Sequence, residues 1–188
     1  MSEFYEIEIC GLKRHLPLTA VGKNTRLANF NILGDVELVV KASEVLAKRL
    51  KDFKFDYLVG PEVKVVPLIH ELAKHLGHKR YIVCRKTINP YMVNPTVLKP
   101  LDYFPKHVNP LVIDGPDKKL ISGKKVVIVD DVISTGVTIR MMKKLMEMVP
   151  TEVVATAAII RQGEKQFDNI DNFIYLTTLP IFKSSEQQ

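Results

Sequence analysis

Cysteine is scarce in this chain: Cys10 and Cys84 are the only two, far apart and set in apolar, strand-like stretches. That pattern excludes a disulfide framework and a cysteine metal site and suits buried, reduced thiols, so a cytoplasmic location is expected. No apolar run approaches the roughly 18 residues that a membrane span requires, and the start of the chain lacks a charged-then-apolar leader, so neither membrane association nor export is expected. The histidines, His70 and His75 among them, form no metal-ligand triad and read as ordinary surface or core residues. Two phosphate-binding signatures are missing as well. No GxxxxGK[ST] occurs and no GxGxxG opens a helix after the first strand, which argues against triphosphate hydrolysis and dinucleotide binding. Basic blocks with interleaved aromatics are also lacking, so no nucleic-acid partner is expected.

What is present is enough apolar material for a core. With 188 residues, 46% hydrophobic and 26% charged, the chain is expected to form a single domain spanning 1–188. Lysine and arginine outnumber the acids by 27 to 21, and the resulting +6 favours an anionic partner, for which a phosphorylated metabolite fits best.

Along the chain, "FYEIEICG" and "HLPLTAVG" predict a small antiparallel hairpin around Gly11, part of a hood-like appendage over residues 1–33. Val36, Val39, Ala42, Leu46 and Leu50 then recur at helical spacing behind a capping Asp35. "FDYLVG" reads as a buried strand, "VPLIHELAKHLG" as a helix closed by Gly77, and "KRYIVC" as the next strand. "KKVVIVDD", the helix "TIRMMKKLMEMV" stopped by Pro150, "EVVATAAII" and "NFIYLTT" continue the alternation. The expected fold class is α/β, a mostly parallel sheet flanked by helices on both faces. Between residues 85 and 122 no period is sustained, and Pro90, Pro95, Pro100, Pro105 and Pro110 interrupt any regular element. Residues of about 87–121 are therefore expected to form a functional or mobile connection.

The string "VVIVDDVISTGVT", residues 126–138, carries the most chemistry. An apolar strand over 126–129 places Asp130 and Asp131 at its carboxyl edge, where open parallel sheets bind ligands. Gly136 permits a tight turn in which backbone N–H groups, the hydroxyls of Ser134, Thr135 and Thr138, and the start of the next helix converge on one point. Such a point binds phosphate. Acids repel phosphate, so the same ligand must also offer the carboxylates hydroxyl groups or a bridging divalent cation. A ribose 5-phosphate meets both demands.

This string resembles the phosphoribosyl-pyrophosphate signature of the type I phosphoribosyltransferases, and the flanking chain is most similar to the members of that family that use adenine. "DYLVGPEVKVVPLIHELAKHLG" is similar to the segment bearing the family's pyrophosphate loop, "VCRK" to its basic pair, and "NPTVLKPLDY" to its flexible catalytic loop. The resemblance implies transfer of the 5-phosphoribosyl group from phosphoribosyl pyrophosphate to a purine base, adenine favoured, with release of pyrophosphate and with Mg2+ as cofactor. Asp130 and Asp131 would then bind the ribose hydroxyls and the metal, directly or through water, and Ser134, Thr135, Gly136, Val137 and Thr138 the 5-phosphate. Glu62, Val63 and Lys64 would meet the pyrophosphate, and the family implies a non-proline cis peptide near Glu62-Val63. Arg85 and Lys86 would meet it too, donated across the interface of a homodimer. The residues of about 87–121 would then be a flexible lid, with Asp102 and Tyr103 closing over the site as catalytic loop residues. Phe30 and Val132 would hold the two faces of the base.

The chain departs from the family pattern at Val137, where a small residue is usual, at Asp102 for a glutamate, at Lys64 for an arginine, and at Arg161. These departures leave the base open between adenine and a 6-oxopurine such as hypoxanthine or xanthine. A non-catalytic sensor of phosphoribosyl pyrophosphate is a further reading.

Overall fold

The structure, a computed structural model, describes residues 3–22, 24–100, 108–163, 170 and 172–183. The chain opens with β1 (Phe4–Ile9) and β2 (Leu12–Ala20), antiparallel about a turn in which Cys10 and Gly11 have φ of 53° and 83°. Two successive positive φ values are what a two-residue hairpin turn requires. β3 (Thr25–Ala28) pairs with β2 and completes the N-terminal share of the hood. Helix α1 (Val36–Leu50) starts at Asp35, whose carboxylate accepts from the Leu38 amide at 3.1 Å and satisfies a donor the first turn leaves open. Val36, which the spacing places in the apolar stripe, is instead 73% exposed. It stands at the margin of the arc that Leu38, Ala42, Leu46 and Leu50 bury.

β4 (Tyr57–Pro61), α2 (Val66–His75) and β5 (Ile82–Cys84) follow, with Gly77 at φ 73° after α2. The segment that reads as lacking regular structure contains β6 (Thr96–Leu98), β7 (Leu111–Ile113) and α3 (Gly115–Ile121). Three-residue strands are too short to show a period, yet β6 and β7 pair antiparallel, and Asp114 caps α3 by accepting from the Gly115 amide at 2.8 Å. β8 (Lys125–Ile133), α4 (Val137–Met148), β9 (Glu152–Gln162) and β10 (Phe173–Leu179) complete the alternation, and β11 (Ile181–Lys183) ends the described chain.

Parallel strands in the order β10-β9-β8-β4-β5 form the main sheet. Its central strand is apolar on both sides because helices cover both faces. Val127 and Val129 of β8 pack with Leu46 of α1 and Leu68 and Leu72 of α2, whereas Val126 and Ile128 pack with Met142 and Leu145 of α4. Met141, Met142 and Met146 are buried in that second layer, while Met148 is 43% exposed. A second sheet, in the order β1-β2-β3-β11, forms the hood. β11 joins it from the far end of the sequence, pairing Ile181 with Leu27. Arg14 of β2 ties the hood to α1 by donating to both oxygens of Asp35, at 2.6 and 3.0 Å, and to Glu37 at 2.8 Å. Cys84 is buried, Cys10 is partly buried, and both are free thiols. No helix among the described residues is long and apolar enough to cross a membrane.

Candidate active site

The carboxyl ends of β4, β5 and β8 and the hood converge on one crevice. The sequence ends the central strand before Asp130, but β8 continues to Ile133 because β9 runs beside it that far, pairing Asp130 with Ala158 and Ile133 with Arg161. On its other side the ladder to β4 stops at Ile128. The acid pair is thus held rigidly by one neighbour and opened to the crevice where the other ends.

Asp130 and Asp131 are only 7% and 8% exposed. One Asp130 oxygen accepts from the Asp131 amide at 2.9 Å, and Asp131 Oδ2 is buried with no hydrogen-bond partner among the described residues. Burial, and then the Asp131 carboxylate beside it, push the Asp130 carboxyl well above the usual carboxylate range, with Lys86 offsetting part of the effect. An acceptor-only oxygen unpaired in such a place can take a donor or a cation.

Beyond the pair the chain turns into α4. Gly136 caps the helix at φ 71°, a left-handed conformation that side chains rarely adopt, and Arg140 Nη1 donates to the Thr135 carbonyl at 3.2 Å. Ser134, Thr135, Gly136, Val137 and Thr138 line a small recess of about 30 Å³ at the helix start. Amide N–H groups and the positive end of the helix dipole face that recess, the arrangement that binds anions.

The loop after β4 forms the opposite wall. The peptide between Glu62 and Val63 is cis, where the resemblance places one. Glu62, Val63, Lys64, Lys86, Asp130 and Asp131 line a cavity of about 270 Å³. Glu62 turns its carboxylate toward the end of β5, accepting from the Lys86 amide at 2.6 Å and from Arg85 Nη1 at 3.2 Å, and its own amide donates to the Cys84 carbonyl at 2.8 Å. Arg85 also exchanges both backbone hydrogen bonds with Val112 at 2.8 Å. The structure therefore brings Lys64 and Lys86 to the cavity and holds Arg85 beside it, paired with Glu62. Asp102 and Tyr103 lie outside the described residues.

A third cavity, about 450 Å³, opens between the hood and the end of the sheet. Phe30 and Val132 line it together with Lys64, Asp131, Ser134 and Gln162. Phe30 is 5% exposed and also belongs to the main core, so it is both a wall and a packed core residue. Gln162 is not singled out by the sequence, where its only signal is a polar residue at the end of a largely apolar strand; that it faces the cavity depends on a hood assembled from distant segments.

A parallel sheet whose carboxyl edge joins an acid pair, an anion recess and a cation-lined cavity to a hooded pocket is the layout of a protein that binds a phosphorylated sugar beside a planar group. The phosphoribosyl transferase domain matches residues 32–187, and the chain belongs to this family. It is 34% identical over 130 residues to an adenine phosphoribosyltransferase of Thermosipho africanus, covering 69% of this chain and 72% of that one. An orotate phosphoribosyltransferase of Caldicellulosiruptor bescii is 30% identical over 121 residues, covering 64% of this chain and 52% of the relative. Among solved structures, an adenine phosphoribosyltransferase of Thermoanaerobacter pseudethanolicus superposes with a TM-score of 0.59 at 25% identity, covering 94% of this chain and 95% of that one.

Proposed function

We propose that this protein is a purine phosphoribosyltransferase, with adenine the favoured base, that works in purine salvage in the cytoplasm. It transfers the 5-phosphoribosyl group of phosphoribosyl pyrophosphate to a ring nitrogen and yields the nucleoside monophosphate and pyrophosphate. The observation that carries this reading is that three cavities share Val132 as a wall, with Asp130 and Asp131 each lining two of them: one for the 5-phosphate, one for the pyrophosphate and one for the base.

In this reading Ser134 to Thr138 hold the 5-phosphate through amides and hydroxyls. Asp130 and Asp131 accept from the ribose hydroxyls and fix the sugar between the two remaining cavities. Lys64 and Lys86 bind the pyrophosphate by charge, and Glu62 holds the end of β5 so that Lys86 faces inward. Arg85, beside the cavity, meets pyrophosphate across a homodimer interface. Phe30 and Val132 hold the base so that its ring nitrogen addresses the anomeric carbon. There the bond to pyrophosphate oxygen breaks as the bond to nitrogen forms, and positioning and charge stabilisation supply most of the acceleration. Asp102 and Tyr103 cover the departing group and exclude water; of the lid expected over about 87–121, β6, β7 and α3 bury Leu98, Leu111, Ile113 and Ile121 in the core and stay with the body of the one domain and its hood of 1–33, so the closing part is the stretch between β6 and β7.

The acid pair fits Mg2+: both groups are oxygen acceptors, and Asp131 Oδ2 lacks a partner among the described residues. Asp130 and Asp131 would hold the ion, directly or through water. When bound, it neutralises charge on the pyrophosphate.

The test is pyrophosphate release from phosphoribosyl pyrophosphate and Mg2+, with adenine, hypoxanthine, guanine, xanthine, orotate and uracil supplied separately. Release with adenine above all others is expected. Release with orotate alone, or tight binding of phosphoribosyl pyrophosphate without turnover of any base, would overturn the proposal.

A further inference from the structure

Arg140 is exposed on α4 and does not line the recess at the start of that helix, yet it holds both carbonyls of the turn that forms the recess. Its backbone N–H donates to the Gly136 carbonyl at 3.0 Å, and its Nη1 donates to the Thr135 carbonyl at 3.2 Å. Side chains on a helix lean toward its amino end, so a long one in this place reaches back past the cap. The carbonyl and the amide of a planar trans peptide point in opposite directions. With the two carbonyls turned toward Arg140, the N–H groups of Gly136 and Val137 are turned away from it, toward the recess that both residues line.

Among the described residues no side chain caps α4, and no acid stands in its first turn. Gly136, at φ 71°, accepts φ of either sign at little cost, so the peptide between Thr135 and Gly136 is free to turn over unless something holds it. Turned over, it would present the Thr135 carbonyl oxygen to an incoming phosphate in place of an N–H. A cation near the positive end of a helix is itself unfavourable until an anion arrives, so the place of Arg140 suits the occupied site. We propose that Arg140 is a positioning residue for the 5-phosphate: it locks the Thr135–Gly136 peptide with the N–H aimed into the recess, so that the site is formed before its ligand binds. This rests on the reading of the recess as the 5-phosphate site. Arg140 acts through Thr135, and its effect is on affinity, because a turn already in the binding conformation has no ordering cost left to meet.

The experiment compares the parent with Arg140→Met and Arg140→Lys. Methionine keeps an unbranched chain without the donor, and lysine keeps both a donor and the charge. Calorimetry reads Kd for ribose 5-phosphate and, separately, for pyrophosphate with Mg2+, beside Tm and the KM and kcat for phosphoribosyl pyrophosphate with adenine. Arg140→Met is expected to bind ribose 5-phosphate roughly tenfold more weakly and pyrophosphate as the parent does, with Tm near the parental value. KM for phosphoribosyl pyrophosphate is expected to rise by a similar factor with kcat little changed, and Arg140→Lys to recover most of the loss. The ratio of parent to Arg140→Met affinity is expected to persist from about 0.1 M to about 0.5 M salt, since an exposed charge is screened and a held peptide is not. A parental Kd for ribose 5-phosphate in Arg140→Met, equal losses for the two ligands, or a loss that vanishes at the higher salt overturns the inference and leaves the transfer reading standing. A parent that binds neither ribose 5-phosphate nor phosphoribosyl pyrophosphate overturns the 5-phosphate reading and this inference with it. Binding is read apart from turnover, so a parent that binds ribose 5-phosphate but turns over no base still decides the role of Arg140.

Discussion

Asp130 and Asp131 stand side by side with less than a tenth of either exposed, and Asp131 Oδ2 has no hydrogen-bond partner among the described residues. Because burial and the neighbouring carboxylate raise the Asp130 carboxyl in the folded state, the folded protein keeps that proton to higher pH than the unfolded chain does. Between its unfolded value near 4 and the raised folded value the native state binds more protons, so stability falls as pH rises through that window and stays lowered above it. Replacing the charge without changing the shape should therefore stabilise the ligand-free protein. In Mg2+-free buffer at neutral pH, Asp130→Asn is expected to add about 1 kcal/mol and raise Tm by a few degrees, while turnover falls by at least about 100-fold. Thermal unfolding beside the pyrophosphate-release assay checks both, and a variant that loses stability would show that the pair is not repulsive. The acid pair was legible in the sequence because strand, acids, turn and helix start are contiguous. Gln162 was not, because its meaning comes from residues brought to it from β3 and from the end of β8.

At the scale of elements, what sets the crevice is how closely strands and hood approach. Gly60 in β4 lies where a Cβ would come 2.8 Å from the Val129 carbonyl and 2.9 Å from Val65 Cγ1, immediately beneath the acid pair. Gly60→Ala must push β4 off β8 and is expected to cost about 1–3 kcal/mol by chemical denaturation. The hood depends on a latch instead. Arg14 holds the Asp35 carboxyl below the usual carboxylate range, so this contribution is present above the unfolded value near 4 and is lost as pH falls through the lowered folded value. Arg14→Ala is expected to cost about 1–2 kcal/mol and to raise KM for the base several-fold with KM for phosphoribosyl pyrophosphate little changed. Equal changes in both constants would show that the latch does not act through the hood. The long helices and the buried strands were legible from their periods, and Asp35 from its place as a cap. β3, β6, β7 and β11 were not, since three or four residues show no period and each exists through its pairing with another segment.

For the whole molecule, the question is how the crevice relates to the surface around it. Val63 in the cis loop is 57% exposed, and Ile88, Tyr91 and Val93, downstream of the basic pair, are 60%, 65% and 58% exposed. Large apolar side chains left in water are better accounted for by a partner than by solvent. The proposed homodimer supplies one, and it would also bring the Arg85 region of each chain to the neighbouring crevice. Sedimentation equilibrium at micromolar concentration is expected to give twice the chain mass of 21.3 kDa. The double substitution Tyr91→Lys and Val93→Lys places charge on that surface without touching the cavities already described. It is expected to yield a monomer of near-parental Tm whose turnover falls about tenfold or more, since association excludes unpaired charge from an apolar contact. A parent that sediments as a monomer and turns over at full rate would place the complete site within one chain and leave these four side chains to another partner.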